Sequence, residues 1–462
     1  MDQPSFASPI QKAAHPAGPH VVIIGGGASG VLMAMHLLRR PERAFRVTLI
    51  EGRHAFGRGI AYSTSDPDHL LNTRAHNMSA FPEDPLHFVN WLQARPDDPA
   101  TTADCFVSRG TFGAYLSSLL RPWLDGTDAQ RLRVVPQSAV RVEDLARGVV
   151  VHLGSGESVI GDTAILATGH VLETRDPDSA ILAAWDDPGA HDRDARVIII
   201  GSGLSMVDRV ISLLKSGHRG EILSVSRRSL LPRTHAPTTP LPIGIADIPL
   251  CAPMSVLVAW VRDLTRKAEA QGGTWRDAVD GIRPHVSRVW RGLPPVERAR
   301  FLRHAASMWD VHRHRIPPAS ESTIQAALGS GRLRLLRGSF LGAECRPDGT
   351  QTARVLCSAS KEVETIPAGL IFDCRGIRRD PARHASPLVS DLLETGRGRV
   401  DALSIGLDVD QSCRVIDRTG KASNRLLAIG PASRSAFWEI TAIPDIRAQT
   451  ARLSEAMAMA KI

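Results

Sequence analysis

The pattern of hydrophobic and polar positions predicts the same strand–turn–helix–strand order twice in one chain. Residues 21–24 are apolar and β-branched, which is typical of a strand buried on both faces of a parallel sheet. A glycine-rich turn at 25–30, a helix with an apolar face and a second buried strand at 46–50 follow. The same order returns at 196–200, 201–206, 207–214 and 221–225. We therefore expect an α/β protein built on two β–α–β starts.

The first turn fits the pattern G-x-G-x-x-G, in which each glycine has its own physical task. Gly25 permits the tight turn, Gly27 leaves room for a pyrophosphate, and Gly30 lets the helix pack closely on the strand. An acid ends the second strand, where it can hold a ribose hydroxyl, and this favours FAD or NAD over NADP. The alternative is a glycine-rich turn without a ligand. The predicted contacts are Gly25, Gly27, Ala28, Ser29, Gly30 and Glu51.

The second turn keeps two of the three glycines and has Met206 in place of the third. The strand after it ends in a serine and two arginines, without an acid. Such a group suits the 2′-phosphate of NADP, whereas a solvated basic turn is the alternative. The residues predicted to hold this second cofactor are Gly201, Ser202, Gly203, Leu204, Ser205, Ser226, Arg227 and Arg228.

The segments that follow the two β–α–β starts also resemble each other. Alternating patterns that are typical of an antiparallel meander occupy 131–135, 139–143, 148–153 and 157–160. A buried strand then leads to Thr168 and Gly169, and the segments 332–336 and 369–373 match this layout in the second half. The fold expected is α/β, with two Rossmann-like dinucleotide-binding domains, β-meanders and a helical insertion at about 250–330. The predicted limits are a flexible tail at 1–19, an FAD-binding domain at 20–187 and 377–462, and an NAD(P)H-binding domain at 188–376.

Composition argues against several other classes of function. The net charge is +8, but only six of the 56 basic residues are lysine, the arginines are scattered, and two tyrosines offer little surface for stacking on bases. The six cysteines form no C-x-x-C pair, and no Cys/His spacing suits zinc. No apolar run reaches about 18 residues. We therefore expect a reduced, cytoplasmic protein without a metal site, a membrane span or a nucleic-acid partner.

Two later segments add candidate chemistry. The segment WDVHRHRIPP at 309–318 presents His312, Arg313, His314 and Arg315, either to an acidic substrate or cofactor phosphate or as a solvated helix end. Near the end of the chain, a strand at 425–429, a loop and a last helix return to the first domain. That arrangement points a helix N-terminus toward the negative charge of a reduced flavin.

The whole layout resembles the flavoproteins with two dinucleotide-binding domains, and more narrowly the FAD/NAD(P)-binding protein family related to N-hydroxylating monooxygenases. The motifs that carry this resemblance are GIAYSTSDPDHLLN (59–72), NMSAFPEDPLHFVNWL (77–92), GSGLSMVD (201–208), SRRSLLP (226–232) and GPASRSAFWEITAIPDIRAQ (430–449). The resemblance implies FAD in the first domain and NADPH in the second. One departure is Pro431, where many relatives in the wider superfamily have an aspartate that holds the ribityl chain.

The reaction that the resemblance implies is a monooxygenation. NADPH reduces FAD, O2 then gives a C4a-hydroperoxyflavin, and a small nucleophile such as an amine or amino acid is hydroxylated. The candidates near the flavin ring are Asn72, Met78, Ser79, Trp438 and Glu439, and the further cofactor contacts are Arg109, Thr168, Gly169, Gly430 and Ile440. Structural alternatives are a turn cap for Asn72, packing for Met78, a helix cap for Glu439 and an ion pair for Arg109.

Two other classes of function stay open at this point. One is a flavin reductase, dehydrogenase or oxidase that inserts no oxygen, although the missing C-x-x-C pair disfavours disulfide reduction. The other is a non-catalytic nucleotide-sensing flavoprotein that has kept the fold. A homo-oligomer is compatible with each of the three.

Overall fold

Buried β-branched segments form two mainly parallel sheets in the computed structural model of the protein, which describes residues 18–53, 55–95, 102–125, 128–169, 181–345, 350–376, 381–382 and 384–460. The strands are β1 (His20–Ile24), β2 (Arg46–Ile50), β3 (Leu132–Val135), β4 (Ala139–Leu145), β5 (Gly148–Leu153), β6 (Ser158–Gly161), β7 (Thr163–Leu166), β8 (Ile181–Ala183), β9 (Val197–Ile200), β10 (Ile222–Ser226), β11 (Leu333–Cys345), β12 (Gln351–Cys357), β13 (Val363–Ala368), β14 (Leu370–Asp373), β15 (Arg414–Ile416) and β16 (Ala422–Ala428).

Helices cover the sheets and fill the long segment between β10 and β11. They are α1 (Ala28–Leu38), α2 (His87–Gln93), α3 (Arg109–Ser118), α4 (Arg121–Leu124), α5 (Leu204–Lys215), α6 (Met254–Ala270), α7 (Trp275–Ile282), α8 (Val286–Gly292), α9 (Pro295–His304), α10 (Ala306–Arg313), α11 (Pro318–Gly329), α12 (Pro387–Glu394) and α13 (Ile443–Met459). The run from α6 to α11 is the predicted helical insertion.

The first sheet has the order β15–β16–β7–β1–β2–β3. All its neighbouring strands pair in parallel except β15 with β16. Its central strands β1, β2 and β7 are almost wholly buried, because α1 and α13 cover one face while β4–β6 and α12 cover the other. The last strands and the last helix of the chain therefore pack on the first sheet.

The second sheet has the order β13–β12–β11–β10–β9–β14–β8. Its strands β8, β14, β9 and β10 pair in parallel, and the start of β11 continues that pattern. From Gly338 onward, β11 pairs with β12 in the antiparallel sense. The two sheets confirm the predicted fold class, with two Rossmann-like units in one chain.

One predicted pairing is wrong. The segment 131–135 was expected to belong to the first meander, but β3 pairs in parallel with β2, with Val47 opposite Leu132. Only β4, β5 and β6 form the separate antiparallel sheet. Alternation along one strand does not identify its partner, so the pattern could not separate these cases. The predicted match between 131–135 and 332–336 is confirmed, because β3 and the start of β11 each lie next to the second strand of their unit.

Residues 1–17 of the predicted tail lie outside the described residues. The predicted domain limits stay predictions. Within the part of the chain that the structure describes, no helix is both long enough and apolar enough to cross a membrane.

Candidate functional site

The first glycine turn has the geometry that its sequence predicts. Gly25 has φ +109°, and a Cβ there would collide with the carbonyl oxygen of Ala167. A Cβ on Gly30 would collide with the carbonyl oxygen of Gly25, so this glycine brings α1 close to β1. Only glycine meets both demands.

A loop and an acid lie against this turn. The amide of Gly57 donates a hydrogen bond of 2.7 Å to the carbonyl of Gly26, and a Cβ on Gly27 would lie 3.4 Å from Cα of Gly59. The Glu51 carboxylate accepts hydrogen bonds from the amides of Gly26 and Arg53, at 3.0 and 2.8 Å. The acid therefore lies beside the turn at the end of β2, where the ribose role is predicted.

The end of the chain meets the same turn. Gly430 has φ +59°, and a Cβ there would collide with the Ser29 side chain at the start of α1. Its amide donates to Oε1 of the buried Gln449 at 2.7 Å, so α13 fixes its position. Gly169 follows β7 with φ +69°, and a Cβ there would have no heavy atom of the described residues within 4 Å. The other predicted contacts differ in exposure: Thr168 adjoins this opening, Ala28 is partly exposed in α1, and Ile440 is buried in the core.

The second turn repeats the first in its backbone. Gly201 has φ +114°, and a Cβ there would collide with the carbonyl oxygen of Cys374, as Gly25 does with that of Ala167. Gly376, at φ +73°, corresponds to Gly169. Gly203 has no heavy atom of the described residues within 4 Å of a built Cβ, so its face is open to a ligand.

The residues at the end of β10 that are predicted to bind the 2′-phosphate have different surroundings. Ser202 Oγ lies 2.9 Å from Ser226 Oγ, which fixes the turn to the strand end. Arg228 donates to the carbonyls of Arg303 and His304, both at 2.8 Å, and thereby caps the C-terminal end of α9. The Arg227 side chain is exposed and has no carboxylate partner among the described residues. Arg227 is therefore the arginine of this pair that is available to a ligand.

A wide cleft of about 1770 Å³ lies between the two units and the helical insertion. A pocket for one drug-sized ligand has about 300–1,000 Å³, so this cleft has room for more than one molecule. Its lining includes eleven arginines and three aspartates, which makes it strongly basic. The turn at 25–30 does not belong to the lining, whereas Gly201, Ser202, Gly203, Leu204 and Ser205 of the second turn do.

Sequence reasoning missed Arg337 and Arg375, which also line the cleft. Arg337 ends the part of β11 that pairs in parallel with β10, and Arg375 follows β14. Ligands bind at the carboxyl ends of parallel strands. The position of both residues just past such an end was the signal that could have found them.

Of the three predicted catalytic residues in the loop after β2, two line the cleft and one is fully buried. Asn72 lines the cleft, and its backbone carbonyl lies 3.0 Å from His235 Nε2. Met78 also lines the cleft but is 3% exposed and packs in the first core. Ser79 is fully buried, and its hydroxyl donates to the Asp84 carbonyl at 2.6 Å. A contact with substrate is therefore open to Asn72 and Met78 in this structure.

The two predicted catalytic residues near the C-terminus lie outside the cleft lining. Trp438 is buried and stacks on Trp290, with ring centroids 4.7 Å apart. Glu439 accepts a hydrogen bond from Trp309 Nε1 and pairs with Arg313 at 2.7 Å. Both residues attach the helical insertion to the first unit, and their catalytic role stays a prediction.

Arg109 lies at the contact between the two units. Its guanidinium is 3.3 Å from the carboxylate of Asp208 on α5. Burial raises the pKa of that carboxyl, and Arg109 opposes the rise. His69 from the same loop is 2.9 Å from Ser212 Oγ, also on α5. The predicted pyrophosphate role of Arg109 stays a prediction, and the observed contact joins the units.

The basic segment 309–318 is not a solvated helix end. His312 packs edge-on against Trp275, whereas Arg313, His314 and Arg315 line the cleft. Arg315 forms a bidentate pair with Asp280 at 2.9 and 3.0 Å. The pKa of His314 lies well below its usual value because it is buried and because arginines surround it. His314 is therefore neutral near pH 7.

No group of histidine, cysteine and acidic residues suited to a metal ion occurs in the described ranges.

Comparisons with known proteins agree with this geometry. Residues 22–171 match the family model described as FAD-NAD(P)-binding, which confirms the predicted dinucleotide-binding unit at the start of the chain. A search of curated proteins finds no match.

Solved structures share the fold over nearly the whole chain. The ornithine hydroxylase PvdA from Pseudomonas aeruginosa is 15% identical, with a TM-score of 0.63, and covers 95% of this chain and 98% of its own. The ornithine N-hydroxylase KtzI from Kutzneria sp. 744, described with reduced FAD, NADP+ and L-ornithine, is 15% identical, with a TM-score of 0.62 and coverage of 96% and 99%. The FAD-bound cadaverine monooxygenase DfoA from Erwinia amylovora is 11% identical, with a TM-score of 0.65 and coverage of 95% and 94%. At these identities the likeness shows the fold.

Proposed function

We propose that the protein is an FAD- and NADPH-dependent monooxygenase that hydroxylates a small nucleophilic amine or amino acid with O2. The observation that carries the proposal is the repeated glycine turn, with near-identical φ angles at Gly25 and Gly201, in two units that share a basic cleft. Structures with this fold include hydroxylases of ornithine and cadaverine. FAD would belong to 20–187 and 377–462, and NADPH to 188–376.

The residues of the first unit fit FAD. Gly25 and Gly30 allow the turn and the start of α1 to lie close to β1, and the free N–H groups of α1 would face a pyrophosphate there. Glu51 lies at the strand end, in reach of a ribose. Pro431 offers no side-chain acceptor, so the ribityl chain would contact other groups. When bound, FAD supplies hydride acceptance and activation of O2.

The residues of the second unit fit NADPH. The open face of Gly203 leaves space for a pyrophosphate at the start of α5. Arg227 and Arg337 line the cleft at the ends of neighbouring parallel strands, which is where a 2′-phosphate needs positive charge. This group favours NADPH over NADH.

The remaining cleft residues would orient the substrate and exclude water. Leu71, Met78 and Ile443 are apolar and line the cleft on the side of the first unit. Thr441 and Ala442 also line it, directly before the N-terminus of α13. A helix N-terminus favours negative charge, so this end of α13 would stabilise an anionic reduced flavin.

The cellular setting forms part of the same proposal. Cys251, Cys357, Cys374 and Cys413 are free thiols, as a reducing cytoplasm would keep them. A single polypeptide carries both cofactor units, so no separate reductase is required. A homo-oligomer is compatible with this arrangement.

The test is product analysis with isotopically labelled O2. The FAD-loaded protein is supplied with NADPH and a panel of amines and amino acids, and products are identified by mass spectrometry. A hydroxylated product that carries the label supports the proposal. Stoichiometric hydrogen peroxide with every compound of the panel, and no labelled product, would contradict it and favour an oxidase.

A further inference from the structure

Two groups of arginines line the cleft at different places. The turn-side group, next to the second glycine turn, consists of Arg227, Arg228, Arg303 and Arg337. The insertion-side group consists of Arg283, Arg313, Arg315 and Arg434. The helix α10 begins just after the residues that Arg228 caps and ends at Arg313, and its eight residues span about 12 Å. One cofactor phosphate cannot satisfy both groups.

Most of the insertion-side charge is balanced within the protein. Arg313 is 3% exposed and pairs with Glu439 at 2.7 Å and with Asp445 at 3.3 Å. Arg315 is 4% exposed and holds both carboxylate oxygens of Asp280. These pairs are structural, and they use the carboxylates at this end of the cleft.

Within the insertion-side group, Arg283 differs from Arg313 and Arg315 in its charge balance. Among the described residues its nearest carboxylate is Asp280, at 4.0 Å, whose two oxygens already accept from Arg315. The Arg283 side chain is 36% exposed and lines the cleft. Burial and the charge of Arg313 lower the pKa of Arg283, and the opposing influence of Asp280, Asp445 and Glu439 does not cancel this shift. Arg283 is therefore positioned to pair with an anion that enters the cleft.

The surroundings of Arg283 reinforce this preference. The neutral His314 lies close to Arg283, Arg313 and Arg434 and does not offset their positive charge. Of the carboxylates in these pairs, Asp280 lines the cleft, and a second ammonium group on a substrate would have to compete with Arg315 for it. The end of the cleft therefore favours carboxylates and disfavours diamines.

We propose that the insertion-side group is the substrate site, and that it binds a small amine of net negative charge, with the class of acidic amino acids as its ligand. The Arg283 guanidinium holds a substrate carboxylate in a charge-assisted pair. The assignment rests on the proposed function, because it places the substrate of that reaction. It differs from the diamine and the basic amino acid named for the structurally similar enzymes.

The test compares two arginines of the helical insertion in the FAD-loaded protein. Arg283→Gln removes the cleft arginine, and Arg288→Gln removes an exposed arginine of α8 that does not line the cleft. Calorimetry measures binding of aspartate, asparagine and cadaverine to each variant. Steady-state assays measure KM and kcat for aspartate and for NADPH.

The expected result is that aspartate binds and asparagine and cadaverine bind much more weakly. Arg283→Gln weakens aspartate binding and raises its KM about 10- to 100-fold, the size of one charge-assisted hydrogen bond. The KM for NADPH stays unchanged, and Arg288→Gln behaves as the wild type. Arg283→Lys, which keeps the charge, recovers part of the affinity and guards against a folding defect.

Three results would overturn the assignment: equal affinity of asparagine and aspartate, unchanged binding in Arg283→Gln, or a rise in KM for NADPH in that variant. The last would make Arg283 a cofactor contact. Failure of the proposed function gives a different pattern. Aspartate would then bind through Arg283 in calorimetry, while no labelled hydroxylated product forms.

Discussion

At the scale of single residues, the glycines of the two turns differ in what a side chain would meet. A Cβ on Gly25 or Gly30 would collide with backbone carbonyls, so substitution there damages the fold. A Cβ on Gly27 would lie 3.4 Å from its nearest neighbour, which is close to ordinary contact. Gly27 is therefore the position at which cofactor binding can be separated from folding.

We predict that Gly27→Val folds but is isolated without flavin, because the new side chain occupies the space of the pyrophosphate. Flavin absorbance and circular dichroism of the purified protein check this. Gly154→Ala, at an exposed glycine with room for a Cβ, should keep both its flavin and its fold. A yellow Gly27→Val protein would remove the FAD pyrophosphate from this turn.

We predict that Arg227→Gln raises the KM for NADPH about 10- to 100-fold and leaves the KM for NADH unchanged, since one charge-assisted bond to the 2′-phosphate is lost. Arg228→Gln should chiefly lower stability, because Arg228 caps α9. Steady-state kinetics with both nucleotides separate these effects. An equal response of NADPH and NADH to Arg227→Gln would be incompatible with the phosphate role.

Residue identities within a motif did not reveal which side chains face the cleft. Trp438 and Glu439 belong to a motif that resembles flavoenzymes, yet they contact Trp290, Trp309 and Arg313, more than 100 positions away. Such long-range partners depend on the packing of the helical insertion. The sequence alone therefore identified the motif but not the direction of its side chains.

At the scale of elements, α1 buries a histidine beneath the loop after β2. His36 is 6% exposed and lies edge-on to Phe81. Burial is the main cause that lowers its pKa to about 4. In the unfolded chain a histidine takes up its proton near pH 6.5. Between these values the unfolded state binds a proton that the folded state does not, so stability falls as the pH falls.

We predict that the free energy of unfolding decreases by about 3 kcal/mol between pH 6.5 and pH 4 through His36 alone. Urea unfolding at a series of pH values checks this. The decrease should shrink in His36→Leu and persist in His304→Gln, since His304 is exposed at the end of α9. The same pH slope in all three proteins would show that His36 does not titrate in this way.

The helices and strands were predicted more securely than the pairing of the strands. The two β–α–β starts follow from buried β-branched runs and glycine turns, and both have the predicted order. The partner of β3 was misassigned because alternation describes one strand at a time. Strand pairing depends on residues far apart in sequence, which a local pattern does not contain.

At the scale of the whole molecule, the relation of the two units depends on a few buried polar contacts. Arg109 on α3 and Asp208 on α5 form an ion pair whose side chains are 12% and 9% exposed. His69 and Asp66 both contact Ser212 on α5. These contacts hold the loop after β2 and the start of α3 against the second unit.

We predict that Asp208→Asn destabilises the protein by about 3 kcal/mol, because it leaves Arg109 buried without its counter-charge. Thermal or urea unfolding measures the loss. Asp194→Asn is the matched control, since Asp194 and Arg219 form an exposed pair and its loss should have a much smaller effect. Equal stability of the two variants would mean that the buried pair does not hold the units together.

The overall plan could be predicted because each unit carries its own local signals. The cleft could not, because it depends on where the helical insertion packs and on ion pairs such as Arg315 with Asp280, 35 positions apart. The proposed account is that NADPH binds at the second turn, which lines the basic cleft, and that electrons pass from there to FAD in the first unit. The cleft lies between the two units and the helical insertion, so its function requires all three.

Anaerobic stopped-flow absorbance tests that account most directly. When the FAD-loaded protein is mixed with NADPH in the absence of O2, the oxidised flavin band should disappear in a single turnover, and Gly203→Val should abolish this reduction while FAD stays bound. Flavin that remains oxidised in the presence of saturating NADPH would contradict electron transfer between the two sites.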